Sequence, residues 1–336
     1  MQGQTEQQFG FEPGPYRKQV DPLWMRHDRT PGSEDDDLLT PVDPAIGPVI
    51  SASTNRTKTG WHRATSQQKS QRIALGVVGG LVGGGVGVGV GTIVREVMLG
   101  LGLFFIAPYS GAFAAAGGVA GLAVGALALV GLALILRRPH STFVGKAGLM
   151  RYTRGLLFGP KVELLRWDDA SELKVQRIRQ FVNGVYTGTN YSYIWRDARG
   201  KKLFHIGGQY RDENALEHQD PAVFGLAAET SWSSHRVAHF DRMIAQEGVA
   251  RFQCGRDWIG VGKGFLEIGA KGATERVAVG DTKDIFFEQG VLVIKKKDAK
   301  EGMFRSDGVY RFPVAALADF RVFLFVLEEQ TGIRFR

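Results

Sequence analysis

The chain has 336 residues, 44% of them hydrophobic, with 42 Lys and Arg against 34 Asp and Glu for a formal net charge of +8. That length holds one to three domains, and the single cysteine, Cys254, excludes a disulfide framework. The charge is unevenly placed: residues 1–72 carry nine basic and nine acidic side chains, residues 73–136 only Arg95 and Glu96, and residues 137–336 the whole excess.

Residues 1–72 read as a disordered polar tail. Stretches such as "TPGSEDDDLLTPVDPAIGP" are rich in turn formers and show no sustained helical or strand period. The acidic run from Glu34 to Asp37 reads as a solvated charge block. The first apolar run starts at Ile73, too deep for a cleavable signal peptide, so it is expected to act as its own uncleaved signal.

Two charge-free runs follow, Ile73–Val94 and Val97–Leu136. A membrane-spanning helix needs about 20 apolar residues, and the turn formers Pro108 and Gly111 divide the second run. The pattern predicts a glycine-rich two-helix membrane hairpin over residues 73–136. One span ends near Arg95 and Glu96; the other covers about 112–136. Shifting the first span to about 86–106 would hold both charges at mid-membrane, costing roughly 2.5–3.5 kcal/mol each. Basic residues flank the outer ends but not the loop, which predicts that both termini are cytoplasmic. Gly79, Gly83, Gly87 and Gly91 recur at spacing four, as do Gly117, Gly121 and Gly125. Positions four apart share a helix face. These stripes therefore predict close helix packing, within one hairpin or between copies of a homo-oligomer.

From Thr142 onward the chain turns to short strands with glycine turns. "FVGKAGLMRYT" reads as strand, turn, strand, and "YSYIWRDARGKKLFHI" as a hairpin turning at Asp197–Gly200. "SSHRVAHFDRMIAQEG" is the clearest helix, with Val237, Phe240, Met243 and Ile244 as its apolar stripe. The order then repeats, and a closing helix is expected to begin at Pro313, a residue suited to a first helical turn. Asp168 and Asp169 align with the segment around Asp281, where a carboxylate accepts from turn amides. Strands followed by one helix, twice, predict two small rolled antiparallel sheets, over residues 142–248 and 250–336.

The segments "GLMRY", "VELLRWDD" and "FPVAALADFRVFLFVLEE" carry a resemblance. Residues 73–336 resemble an uncharacterised bacterial membrane-protein family with a two-helix transmembrane hairpin followed by tandem pleckstrin-homology-like modules. The resemblance implies an α+β fold: a transmembrane α-helical hairpin, then two such β-rolls, each capped by a C-terminal helix. It also implies an integral protein of the bacterial inner membrane, and the family carries no assigned activity. The second module departs from the pattern in lacking the Trp of "RWDD".

No catalytic, metal or cofactor constellation is read from the residues. His235 and His239 stand four apart on a helix, but residue 236 is Arg rather than a general-base Glu, and no third ligand is evident. Adjacent Asp168 and Asp169 would point to opposite faces of a strand. "GVGKG" at 260–264 lacks the remainder of a phosphate loop and reads as a hairpin turn. Arg137, Arg138, Lys146, Arg151 and Arg154, with Lys295, Lys296 and Lys297, are candidates for anionic lipid headgroups, worth about 1 kcal/mol per basic residue. A plain solvated surface is the competing reading. No nucleic-acid motif occurs. The expectation is a non-enzymatic, membrane-anchored interaction or scaffold protein that binds a protein partner or anionic lipid. The alternative is an oligomeric membrane assembly or pore packed through the glycine stripes.

Overall fold

The computed structural model describes residues 17–18, 24–40, 42–59, 139–154, 159–270, 272–301 and 306–335, with isolated helical positions between 86 and 123. The chain divides into two compact units, one of residues 1–61, 141–152 and 162–336, the other of 62–140 and 153–161. In the second unit the hydroxyl of Thr92 donates to the carbonyl of Val88 at 2.8 Å, one helical turn back. The first unit carries nearly all of the strand residues.

Its first half is built from seven strands and a helix. β3 (Val49–Thr54), β4 (His140–Gly145), β5 (Gly148–Arg154) and β6 (Pro160–Arg166) form a four-stranded sheet in that order. A 3-10 turn at Trp167–Asp169 leads to a three-stranded sheet of β7 (Glu172–Val182), β8 (Val185–Arg196) and β9 (Lys202–Tyr210). Helix α1 (Pro221–Glu247) follows, with Pro221 in its first turn and Gly248 closing it at φ 75°. The second half has the same order. β10 (Val249–Cys254), β11 (Asp257–Gly262), β12 (Phe265–Ala270) and β13 (Ala273–Ala278) make four strands. β14 (Thr282–Glu288), β15 (Val291–Glu301) and β16 (Ser306–Pro313) make three, and α2 (Phe320–Thr331) ends the unit. The short strands β1 (Arg17–Lys18) and β2 (Leu39–Thr40) pair with each other.

Period-two alternation creates the cores. On β8, Tyr191, Tyr193 and Trp195 point inward, and Phe204 and Ile206 of β9 join them. Trp167 stacks on Trp195 with ring centres 6.1 Å apart and meets Trp232 of α1 edge-on at 5.6 Å. In the second half Phe252, Ile259, Val261, Leu266, Leu292 and Phe312 pack under Val322, Phe323 and Val326 of α2. α1 serves both cores. Its early residues Ala222, Phe224, Ala228 and Trp232 lie in the first, while Phe240, Val237, Met243 and Ile244 pack into the second. The apolar stripe near the end of that helix thus belongs to the following module rather than to its own.

Several expectations are corrected. The α+β class, a transmembrane hairpin followed by pleckstrin-homology-like rolls, gives way to a predominantly antiparallel β architecture with open four- and three-stranded sheets. Among the described residues no helix is long and apolar enough to cross a membrane. α1 is long at 27 residues, but it carries Glu229, Arg236, Asp241, Arg242 and Glu247; α2 has only 12 residues. The hairpin at 73–136, including Gly79, Gly83, Gly87, Gly91, Gly117, Gly121 and Gly125, lies outside the described residues apart from the isolated positions. The glycine packing, the pore and the inner-membrane location with cytoplasmic termini therefore have no structural support.

The polar tail is corrected as well. Residues 24–40 and 42–59 are folded: β3 pairs antiparallel with β4, and Leu38, Leu39, Ile46 and Ala52 pack on Phe143, Met150 and Tyr152. Buried pairs hold the acidic run, Asp36 with Arg26 and Asp37 with Arg56, each at 2.9 Å. The closing helix starts at Phe320 rather than Pro313, because Pro313 ends β16 in extended conformation and a 3-10 turn at Val314–Ala316 intervenes.

Candidate interaction surface

β7 and β8 form the longest hairpin of the first half, joined by Asn183 and Gly184 at φ 50° and 79°. Two consecutive residues at positive φ make the turn whose twist matches that of paired strands, and Asn-Gly is its preferred sequence. A bulge between Gln180 and Phe181 sets Phe181 opposite Tyr186, their rings 5.8 Å apart. The base of the hairpin is buried, but its end is not: Phe181 is 60% exposed, Val182 59%, Val185 66% and Ile178 49%.

One edge of this sheet is β7. At its base the edge is closed, because the Leu173 N–H donates to Oδ1 of Asp319 at 3.0 Å and the Asp319 N–H donates to the Leu173 carbonyl at 2.8 Å. The 3-10 turn at Val314–Ala316 also packs on β7. From Gln176 to Val182 every residue is exposed.

Charge is one-sided here. Residues 173–196 contain Lys174, Arg177, Arg179 and Arg196 but no Asp or Glu. Arg177 reaches Glu229 of α1 and the Tyr193 hydroxyl, each at 2.9 Å. Lys174 lies 3.4 Å and Arg196 3.9 Å from Glu172. Arg179 has no ion-pair partner among the described residues.

Several of the expected lipid residues are engaged within the fold. Arg137 and Arg138 lie outside the described residues. Arg151 pairs with Glu163 at 3.1 Å and lies over the rings of Phe204 and Phe224. Arg154 is half-buried, and Lys146 is exposed in the turn after β4. On β15, Lys295 lies over Phe286, Lys296 pairs with Glu275 at 2.9 Å, and Lys297 is exposed. Neighbours on a strand point to opposite faces, so the three lysines cannot present one surface.

Other chemical groupings are internal. Both ring nitrogens of His27 bond to hydroxyls, Ser51 Oγ at 2.8 Å and Thr142 Oγ1 at 2.9 Å, and burial pushes its pKa down to about 3. Ser53 Oγ lies 2.8 Å from Nδ1 of His218, a nucleophile–base spacing, but Ser53 is 1% exposed and no substrate can reach it. The rings of His235 and His239 rest against Trp232 and Phe240. Desolvation lowers the pKa of both. No group of three His, Cys, Asp or Glu among the described residues is placed to hold a metal ion. Asp169 bonds the Arg166 guanidinium at 2.7 and 2.9 Å instead of capping turn amides.

A cleft of about 530 Å³ lies between the two halves of the first unit, lined by Glu172, Lys174, Arg196, Arg236, Arg251 and Asp319 among others. These charges are paired: Glu172 with Lys174 and Arg196, Asp319 with Arg236, and Arg251 with Glu247 and Glu267 beyond the lining. Asp319 is buried at φ 52°, bonds Trp232 Nε1 at 2.7 Å and pairs with Arg236 at 3.2 Å. Burial pushes its carboxyl above the ordinary carboxylate range.

Comparison with family models and with curated proteins gives no match. The surface therefore has to be interpreted from its own chemistry. Sequence reading placed the functional residues among lysines and arginines and passed over the hairpin end. The available signal was Asn183-Gly184 between Val182 and Val185 in a stretch without carboxylates.

Proposed function

We propose that this chain is a non-enzymatic interaction protein that engages a protein partner through the β7–β8 hairpin. The observation that carries the reading is the cluster of Phe181, Val182 and Val185 at the hairpin end, each more than half exposed. Contiguous exposed apolar residues on a folded surface mark contact sites, because water penalises them until they are covered. Arg179 beside them adds charge selectivity without closing the surface.

A photocrosslinking residue at Phe181 or Val185, introduced in the producing cell, tests this. Adducts of one discrete mass are expected from both positions. They should be absent from the exposed turn residue Arg199 and lost when the other hairpin-end residue is changed to Ser. Equal adducts from all three positions would refute the assignment.

A further inference from the structure

Resting on the reading of the hairpin as the contact surface, we infer that the partner adds as a β-strand to the open edge of β7. Its segment is extended and alternates apolar with acidic residues.

The backbone supplies the first argument. In an antiparallel strand, alternate residues direct both N–H and C=O to the same side. Leu173 sends both of its groups away from β8, to Asp319. Two-residue periodicity then places the N–H and C=O of Val175, Arg177 and Arg179 on that same edge, up to the bulge at Gln180. Asp319 imitates a neighbouring strand at Leu173 only. Farther along, Gln176 to Val182 are exposed, with Ile178, Phe181 and Val182 among them. Natural edge strands are usually short, covered or charged against pairing. Among the described residues, this one is long, apolar at its end, and covered only at its base.

Charge selects the occupant. Of the four cations between residues 173 and 196, Lys174 and Arg196 lie against Glu172 and Arg177 pairs with Glu229, which leaves Arg179, in a stretch with no carboxylate, as the cation without an ion-pair partner among the described residues. A second copy pairing antiparallel through the same edge in the register centred on Ile178 would set Arg177 against Arg179, and like charges opposed across a sheet destabilise it. A strand with acidic residues opposite Arg179 gains from the same position. A lipid surface would satisfy the positive charge and the apolar tip but would leave the edge amides without a partner strand.

The test uses the full chain and a labelled synthetic peptide in which glutamate alternates with valine and isoleucine. Binding is followed by anisotropy, and amide exchange by mass spectrometry. Two further acidic peptides carry N-methyl groups on alternate amides, one in each phase, and a fourth replaces glutamate with lysine. The acidic peptide should bind and slow exchange in residues 174–180. One N-methylated phase should bind about tenfold more weakly or worse, and the other should bind unchanged, since only one phase faces β7. The lysine peptide should not bind. Arg179→Pro should abolish binding while leaving β8 pairing intact, because a proline is tolerated where the N–H faces outward. Arg179→Glu, which leaves the backbone unchanged, should weaken binding about tenfold and covers the case in which the proline variant fails to fold.

Equal binding of both N-methylated phases would overturn strand addition. So would edge protection without peptide accompanied by a doubled native mass, or protection by anionic phospholipid vesicles with no peptide bound. Crosslinks from Phe181 and Val185 combined with indifference to peptide N-methylation would leave the interaction reading standing and remove this one. Loss of both would remove both.

Discussion

The buried imidazole of His27 makes the N-terminal segment acid-sensitive. It joins three pieces of chain: its own loop, Ser51 on β3 and Thr142 on β4. Desolvation is the main cause of its low pKa, with the neighbouring His218 adding to it, and the value falls from 6.5 to about 3. Because the folded pKa is depressed, the stabilising contribution is complete above about 6.5 and is lost as pH falls toward 3. The unfolded chain takes up a proton that the folded chain refuses. At pH 5 the loss relative to pH 7 is about 2 kcal/mol from this group alone. Urea unfolding at both pH values, for the wild type and His27→Gln, isolates it. The amide cannot be protonated but retains a donor and an acceptor, and titrating groups remote from it cancel in the comparison. The variant should be less stable at pH 7 and should lose about 2 kcal/mol less on acidification. An equal loss in both proteins would show that His27 is protonated in the fold and refute the reasoning.

Two further outcomes follow from the junction between the halves. Asp319→Ala leaves the Leu173 N–H, the Trp232 indole N–H and Arg236 facing a buried site without an acceptor, and should cost about 3–5 kcal/mol by chemical denaturation. Asp319→Asn keeps one acceptor oxygen and tolerates the left-handed backbone but loses the charge facing Arg236, so it should cost clearly less; equal losses would count against the bonds that oxygen accepts from Leu173 and Trp232. Phe240→Ala removes a ring stacked at 4.3 Å on Phe252 and should cost about 3–5 kcal/mol. Since α1 enters both cores, fluorescence and far-ultraviolet dichroism should still report one coincident transition, and separate transitions for the halves would contradict the shared helix.

Local chemistry was sufficient for much of the β-structure. The alternation of Tyr191, Tyr193 and Trp195 marks a half-buried strand from side-chain period alone. The turn at Asp197–Gly200 closes as its residues dictate, with Asp197 Oδ1 accepting from the amides of Arg199 and Lys201 at 2.9 Å. Lys263 and Gly264 turn the next hairpin, with Gly264 at φ 74°. These features depend on neighbours a few residues away, so the sequence expresses them directly.

Tertiary structure decided what depends on distant partners. Residues 24–59 have little periodicity of their own. Their order comes from β3 meeting β4, where Ser53 and Thr142 pair although 89 residues separate them. Polar composition alone could not reveal a strand whose stabilising neighbour lies beyond a long apolar block. The stripe of Val237, Phe240, Met243 and Ile244 was legible as a helix face, but only packing determined which core it enters. The candidate site follows the same division. Asn183-Gly184 and its apolar flanks were written in the chain, whereas the openness of β7 depends on where Asp319 stops covering it. A strand edge is defined by what lies beside it in space, and only the folded chain supplies that neighbour.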